Sequence, residues 1–176
     1  KNKEQRTKNK VDFAESVRAG SEVFHTLKAI LKKGGFVVSV GDEGGFAPNF
    51  KNSIEPFVVV KKAASFLGFT KKIDLGLDAA ASGISIRHEK LISTYRHLAR
   101  RFPFIYLEDP FGEEAFLEFS ALRRTLGPNV AVVGDDLTTT NVQRMEKAHA
   151  NQSVNGVIIK PNQIGTVSEA LDAVRL

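Results

Sequence analysis

Apolar positions along the chain follow two periods, and the switch between them lays out the elements. Over residues 11–33, Val17, Val23, Phe24, Leu27, Ile30 and Leu31 recur at three- and four-residue steps, which predicts a helix. Lys32 and Lys33, then Gly34 and Gly35, end it with positive charge and breakers. A brief extended run over 36–40 leads into GDEGGFAPNF at 41–50, where three glycines flank an acid pair. Glycine permits positive φ and close backbone approach, so this stretch reads as a loop able to grip a ligand or close over it. Ser53 is placed as the N-cap of a second helix over 57–67, with Pro56 in its first turn and Gly68 at its end.

Beyond Gly68 the chain alternates. Short β-branched or aromatic runs at 73–77, 104–107, 130–134 and 154–159 read as strands. Helical patterns at 89–102, 113–126, 141–148 and 167–174 separate or follow them, the last capped by Thr166. Strands alternating with helices, at connections long enough for crossovers, specify a parallel β/α architecture.

Each of these four runs closes on a charge: Asp78, Glu108, Asp135 and Lys160, at steps of 30, 27 and 25 residues. In parallel β/α folds all C-terminal strand ends lie on one face, and in a barrel they converge on one mouth. Three carboxylates there form an all-oxygen set suited to Mg²⁺. Zinc is disfavoured, because the chain has no cysteine and no histidine at a strand end. His25, His88, His97 and His149 fall in helical patterns and read as surface or packing residues. A lysine facing bound cations loses its preference for the ammonium form and becomes a candidate general base. The cation would stabilise the enolate left when a proton leaves carbon beside a carboxylate, and Glu43 on the glycine-rich loop would act as the acid. Two of the strand-end acids, Glu108 and Asp135, are followed directly by a second acid. The strand end favours Glu108 over Asp109 and Asp135 over Asp136 as the inward group, with Asp136 supporting from behind.

Composition adds limits. At 176 residues, 42% hydrophobic and 26% charged, the chain suits one domain or a large piece of one. No apolar run approaches 18 residues, so no membrane span is expected, and the first ten residues lack the apolar core of a signal peptide. Zero cysteines fit a reducing compartment, and the expected location is cytoplasmic. Of the net charge of +5, residues 1–10 carry +4. This basic arm has no aromatic for stacking on bases, so it reads as a solvated terminus and not as a nucleic-acid contact. The three-glycine loop is no phosphate-binding fingerprint, since no lysine follows its second glycine pair.

The motifs SVGDEGGFAPN (39–49), LGLDAAAS (75–82), YLEDPF (106–111), VVGDDLTTTN (133–141) and IIKPNQIGT (158–166) together resemble the enolase family. The resemblance implies a (β/α)8 TIM-type barrel, of which this chain holds about four central strands and their helices over 11–176. It implies Mg²⁺ held by Asp78, Glu108 and Asp135, Lys160 as the base at C2 of 2-phosphoglycerate, and Glu43 as the acid assisting loss of the C3 hydroxyl. Glu108, Asp135 and Lys160 are the groups expected to meet the substrate, and phosphoenolpyruvate and water would be the products. A homodimer or larger assembly is implied for the complete protein.

The family pattern also places two barrel strands before Val11. Two more, bearing a phosphate grip and a second lysine, belong after Leu176, and the segment between Ala81 and Glu89 is shorter here than in most enolases. The expectation is an incomplete barrel with open edges and little dehydration activity from these 176 residues alone. Two other readings compete: a superfamily member acting on a different carboxylate, and a degenerate enolase-like module that binds without catalysis. The DEGG loop and KPNQIGT favour enolase over the first; intact charges at 43, 78, 108, 135 and 160 argue against the second, and the missing strands argue for it.

Overall fold

In a computed structural model that describes residues 12–42 and 44–176, the chain divides into two compact units, Lys1–Ile73 and Asp74–Leu176. The basic arm at 1–10 and Glu43 lie outside the described residues.

The first unit packs two helices, α1 (Phe13–Lys33) and α2 (Glu55–Phe66), against each other. Asp12 caps α1 by accepting the Ala14 N–H, Glu15 stands in its first turn, and Lys32 and Lys33 oppose the dipole at its end. Leu31, Phe57, Ala63, Ala64 and Phe69 form the buried centre. The cap of α2 departs from expectation. Ile54, not Ser53, holds the cap position, and the Asn52 side chain accepts from the Ile54 and Glu55 amides at 3.0 and 3.2 Å. The run at 36–40 makes no ladder; it meets the glycine-rich loop in a single antiparallel bridge, Val40 to Phe46.

The second unit is an α/β layer built on one parallel sheet in the order β1 (Leu75–Asp78), β2 (Phe104–Glu108), β3 (Ala131–Gly134), β4 (Gly156–Val157). Five helices accompany it: α3 (His88–Arg101), α4 (Phe116–Leu126), α5 (Val142–Ala150), α6 (Pro161–Ile164) and α7 (Val167–Arg175). The strands follow chain order, each laid beside the one before it, and the sheet is open among the described residues. Leu107, Val132, Phe119, Leu122 and Leu137 are fully buried. Phe111, one residue past the Asp109-Pro110 turn, sits edge-on to Tyr95 and Phe119. The Tyr95 hydroxyl donates to the Pro110 carbonyl at 2.9 Å, and burial pushes this phenol up to about 12. That contact fixes the turn leaving β2, where the site begins.

Three elements of this unit depart most from the sequence reading. Helix α4 starts at Phe116, not at 113, because Arg144 holds the Glu113 carbonyl and the Glu114 carboxylate outside the helix. Strand β4 is two residues long, not six. Asn155 breaks its start by turning its side chain to the Val132 amide, although Ile158 still donates to the Gly134 carbonyl at 3.0 Å. The short helix α6 after Lys160 was not foreseen; Pro161 preorganises its first turn and Gly165, at φ +109, ends it.

Candidate active site

The parallel register brings the expected strand ends side by side. Asp78 is the register partner of Glu108, and Glu108 is the partner of Val133, two residues before Asp135. Side chains two apart on a strand share a face, so Gly76 and Asp78, Tyr106 and Glu108, and Val133 and Asp135 line one surface of the sheet. A methyl group at Gly76 would lie 3.3 Å from the Tyr106 ring, and one at Gly156 would lie 3.1 Å from Val133 Cγ2. The glycines make room on this face for the large side chains of the neighbouring strand.

Beyond the strands the backbone turns sharply. Asp109, Thr139 and Thr140 adopt positive φ of 38°, 49° and 56°, and Ala80 does so at 41°. Left-handed backbone in residues other than glycine is strained and persists where surrounding contacts hold it. Here those contacts are visible. The Asp109 carboxylate, 3% exposed, accepts the Asp135 amide at 3.1 Å and the Asp136 amide at 2.7 Å, binding the end of β2 to that of β3. Thr140 is buried, and its hydroxyl accepts the Lys160 amide at 2.8 Å, binding the turn after β3 to the end of β4.

Within this frame Glu108, Asp109 and Asp135 each bring one carboxylate oxygen within 4.8 Å of the others. Asp78 is exposed and outside that tight group; one of its oxygens accepts the Ala80 amide at 3.1 Å. Lys160, three residues past β4 at the start of α6, reaches across so that its Nζ donates to Asp135 Oδ2, while Gln163 Nε2 donates to Asp135 Oδ1 at 3.3 Å. The Tyr106 hydroxyl donates to Glu108 Oε2. Burial first, then the neighbouring Glu108 carboxylate, lifts the Tyr106 phenol above its ordinary range, so it is a donor. Glu108 is held above the usual carboxylate range chiefly by burial, with Asp78, Asp135 and Asp109 adding like-charge repulsion and the Tyr106 bond opposing it. Asp109 is also raised by burial, against the pull of its two backbone donors. Crowded carboxylates with no nitrogen or sulfur donor among them fit a hard divalent cation, whose charge would relieve the repulsion they now bear.

Comparison with known proteins decides the family. Residues 7–176 match the model of the enolase C-terminal TIM barrel domain. The chain belongs to the enolase family. It is 38% identical over 180 residues to the enolase of Helicobacter acinonychis (strain Sheeba), covering 93% of this chain. It is 42% identical over 178 residues to that of Ehrlichia ruminantium (strain Gardel), again over 93% of this chain. The chain spans 42% of the length of each of these relatives. The α/β fold expected from the motifs is therefore that of the enolase barrel domain, seen as four parallel strands in an unclosed sheet.

In this enolase-family chain the structure joins Glu108, Asp135 and Lys160 and sets Asp78 beside Glu108 in register. Asp136 stands behind, accepting from Ser82 at 3.4 Å. Three participants escaped the sequence reading. Asp109 holds two strand ends together, Gln163 faces Asp135 from α6, and Tyr106 holds Glu108. Tyr106 could have been found from its position two residues before Glu108, which puts both on one face of β2. Gln163 carried no periodic signal, since it lies on the unforeseen α6. His88 stays outside the site, in contact with Glu118 at 3.2 Å on the surface.

Proposed function

We propose that this chain carries the cation-holding and proton-abstracting part of an enolase site, acting in the Mg²⁺-dependent dehydration of 2-phosphoglycerate to phosphoenolpyruvate. The observation that carries the proposal is the meeting of Glu108, Asp135 and Lys160 beyond three successive strands: the Glu108 and Asp135 carboxylates come within 4.8 Å of each other, and Lys160 pairs with Asp135. Glu108 and Asp135 would hold the cation, with Asp78 completing the set from β1. Mg²⁺ supplies positive charge where negative charge develops on the substrate carboxylate.

The chain's own residues do the rest. Lys160 would be the base, and its pairing with Asp135, which would also hold the cation, makes Asp135 the group both functions share. Gln163 and Thr140 fix the direction of this pair: Gln163 by its bond to Asp135, Thr140 by its bond to the Lys160 amide. Asp109 holds the backbone from which Asp135 projects. Glu43 takes the acid role by family resemblance, on a loop whose glycines allow it to close. The family's assembly as a homo-oligomer and its cytoplasmic setting are carried over on the same ground. Among the described residues no helix is long and apolar enough to cross a membrane.

The competing reading, a non-catalytic module, predicts that Lys160 is interchangeable with any residue that maintains the fold. Hydrogen exchange at C2 of 2-phosphoglycerate in D₂O with Mg²⁺, followed by NMR, separates the two, because it needs one proton transfer and not full turnover. Exchange by the chain that disappears in Lys160→Met supports the proposal. Equal exchange by both, or none by the unaltered chain at saturating Mg²⁺, refutes it.

A further inference from the structure

We infer that Tyr106 is a positioning residue of this site: it fixes the Glu108 carboxylate for a divalent cation, and its emission reports whether that cation is bound. The inference rests on the cation-site reading above and extends it to a side chain with no assigned role.

Tyr106 lies in the middle of β2, one pleat below Glu108 on the same face. A large aromatic fits there because the neighbouring strand offers Gly76, whose absent side chain leaves the space that the Tyr106 ring takes up, with Cδ1 at 3.3 Å from where a Cβ would stand. The hydroxyl then reaches Glu108 Oε2. Glu108 stands among other acids, with Asp109 and Asp135 oxygens within 4.8 Å and Asp78 beside it in register, and like charges there disfavour any one arrangement that is not held. A phenol is suited to hold Glu108, since its hydroxyl donates a hydrogen bond without adding charge to the cluster. With one oxygen held by Tyr106, the second remains for a cation. Asp135 and Asp109 are already oriented, by Gln163 and by backbone amides. Tyr106 supplies the corresponding hold for Glu108, and partners of metal ligands that fix their orientation strongly affect affinity.

The chain contains two tyrosines and no tryptophan. Tyr95 is buried, and its hydroxyl donates to the Pro110 carbonyl and not to a carboxylate. A carboxylate accepting from a phenol quenches its emission, so Tyr106 is dim while Glu108 holds it and changes when a cation draws on the same carboxylate. The Tyr106 signal is the difference between the chain and its Tyr106→Phe variant.

The test combines that signal with calorimetric Mg²⁺ titration of the whole chain. Without cation, Glu108→Gln should brighten Tyr106; unchanged emission would mean the two side chains do not meet and would overturn the assignment. Tyr106→Phe should weaken Mg²⁺ binding roughly tenfold, the lower end of the effect of removing a ligand's outer partner. Gly76→Val, which crowds the ring and leaves the hydroxyl in place, should produce a loss in the same direction. Thermal unfolding is the control, because a merely structural tyrosine would lower the unfolding temperature and leave affinity alone. Mg²⁺ affinity unchanged in Tyr106→Phe but lost in Asp135→Asn sinks the role of Tyr106 and spares the site. Affinity unchanged in both sinks the cation reading itself.

Discussion

Replacing Asp109 by alanine should be among the most damaging single changes in the second unit, although Asp109 was not singled out as a ligand. Its carboxylate accepts two backbone amides, from Asp135 and Asp136, at 3.1 and 2.7 Å. Hydrogen bonds to a charged acceptor contribute about 1.5–3 kcal/mol each, and the amides left behind stay in a largely buried turn. Against this, Asp109 is itself disfavoured as an anion by burial, as its raised pKa shows, so its removal recovers part of the loss. Alanine also tolerates the left-handed backbone at φ +38 less well than aspartate. The balance is a loss of about 3 kcal/mol for Asp109→Ala. Asp109→Asn keeps one acceptor oxygen and a residue at ease in that backbone, and should lose about half as much. Equilibrium urea unfolding measures both. An alanine variant destabilised by less than about 1 kcal/mol, or an asparagine variant as costly as alanine, would refute the two-strand staple.

Other expectations follow from single contacts. Arg144 donates to the Leu137 carbonyl and to Glu113 and Glu114, and lies 5.3 Å over the Phe116 ring. A lysine cannot reproduce that planar fork, so Arg144→Lys should cost about 1–2 kcal/mol in the same unfolding assay. Gly156→Ala would bring a methyl to 3.1 Å from Val133 Cγ2, and should cost about 1 kcal/mol by overpacking the site face. Glu114 is held below its ordinary 4.5, first by the Arg144 hydrogen bond. Its contribution is therefore present above that value and lost as pH falls through the lower folded one. The acid limb of an unfolding-versus-pH profile should be shallower in Glu114→Gln, and an unchanged limb would contradict the pairing.

The strand ends were legible because a charge closing an apolar run is a sharp local signal, and parallel topology turns such signals into one face. Asp78, Glu108 and Asp135 stand at or directly after the ends of β1, β2 and β3, whereas Lys160 stands three residues past the end of β4, before α6. What remained hidden was set by distant partners. The start of α4 moves from 113 to 116 because of Arg144, some thirty residues away in sequence. The cap of α2 passes from Ser53 to Asn52, a choice between adjacent polar residues that only backbone geometry makes. Strand β4 is shortened because Asn155 turns its side chain to the neighbouring strand. The pair Glu108-Asp109 shows the limit most clearly. Strand alternation sends Glu108 to the site face, but that Asp109 turns back to bind two amides depends on a left-handed backbone no pattern announced.

The central claim is that these strand-end carboxylates hold a divalent cation, and calorimetric titration of Mg²⁺ into the chain tests it most directly. Saturable binding at one site is expected, weakened at least about tenfold in Asp135→Asn and in Asp78→Ala with the fold intact by circular dichroism. Asp172→Asn, which alters only an exposed acid beside Arg175 on α7, should bind as the unaltered chain does. Binding that is absent, or that survives Asp135→Asn undiminished, would contradict the account.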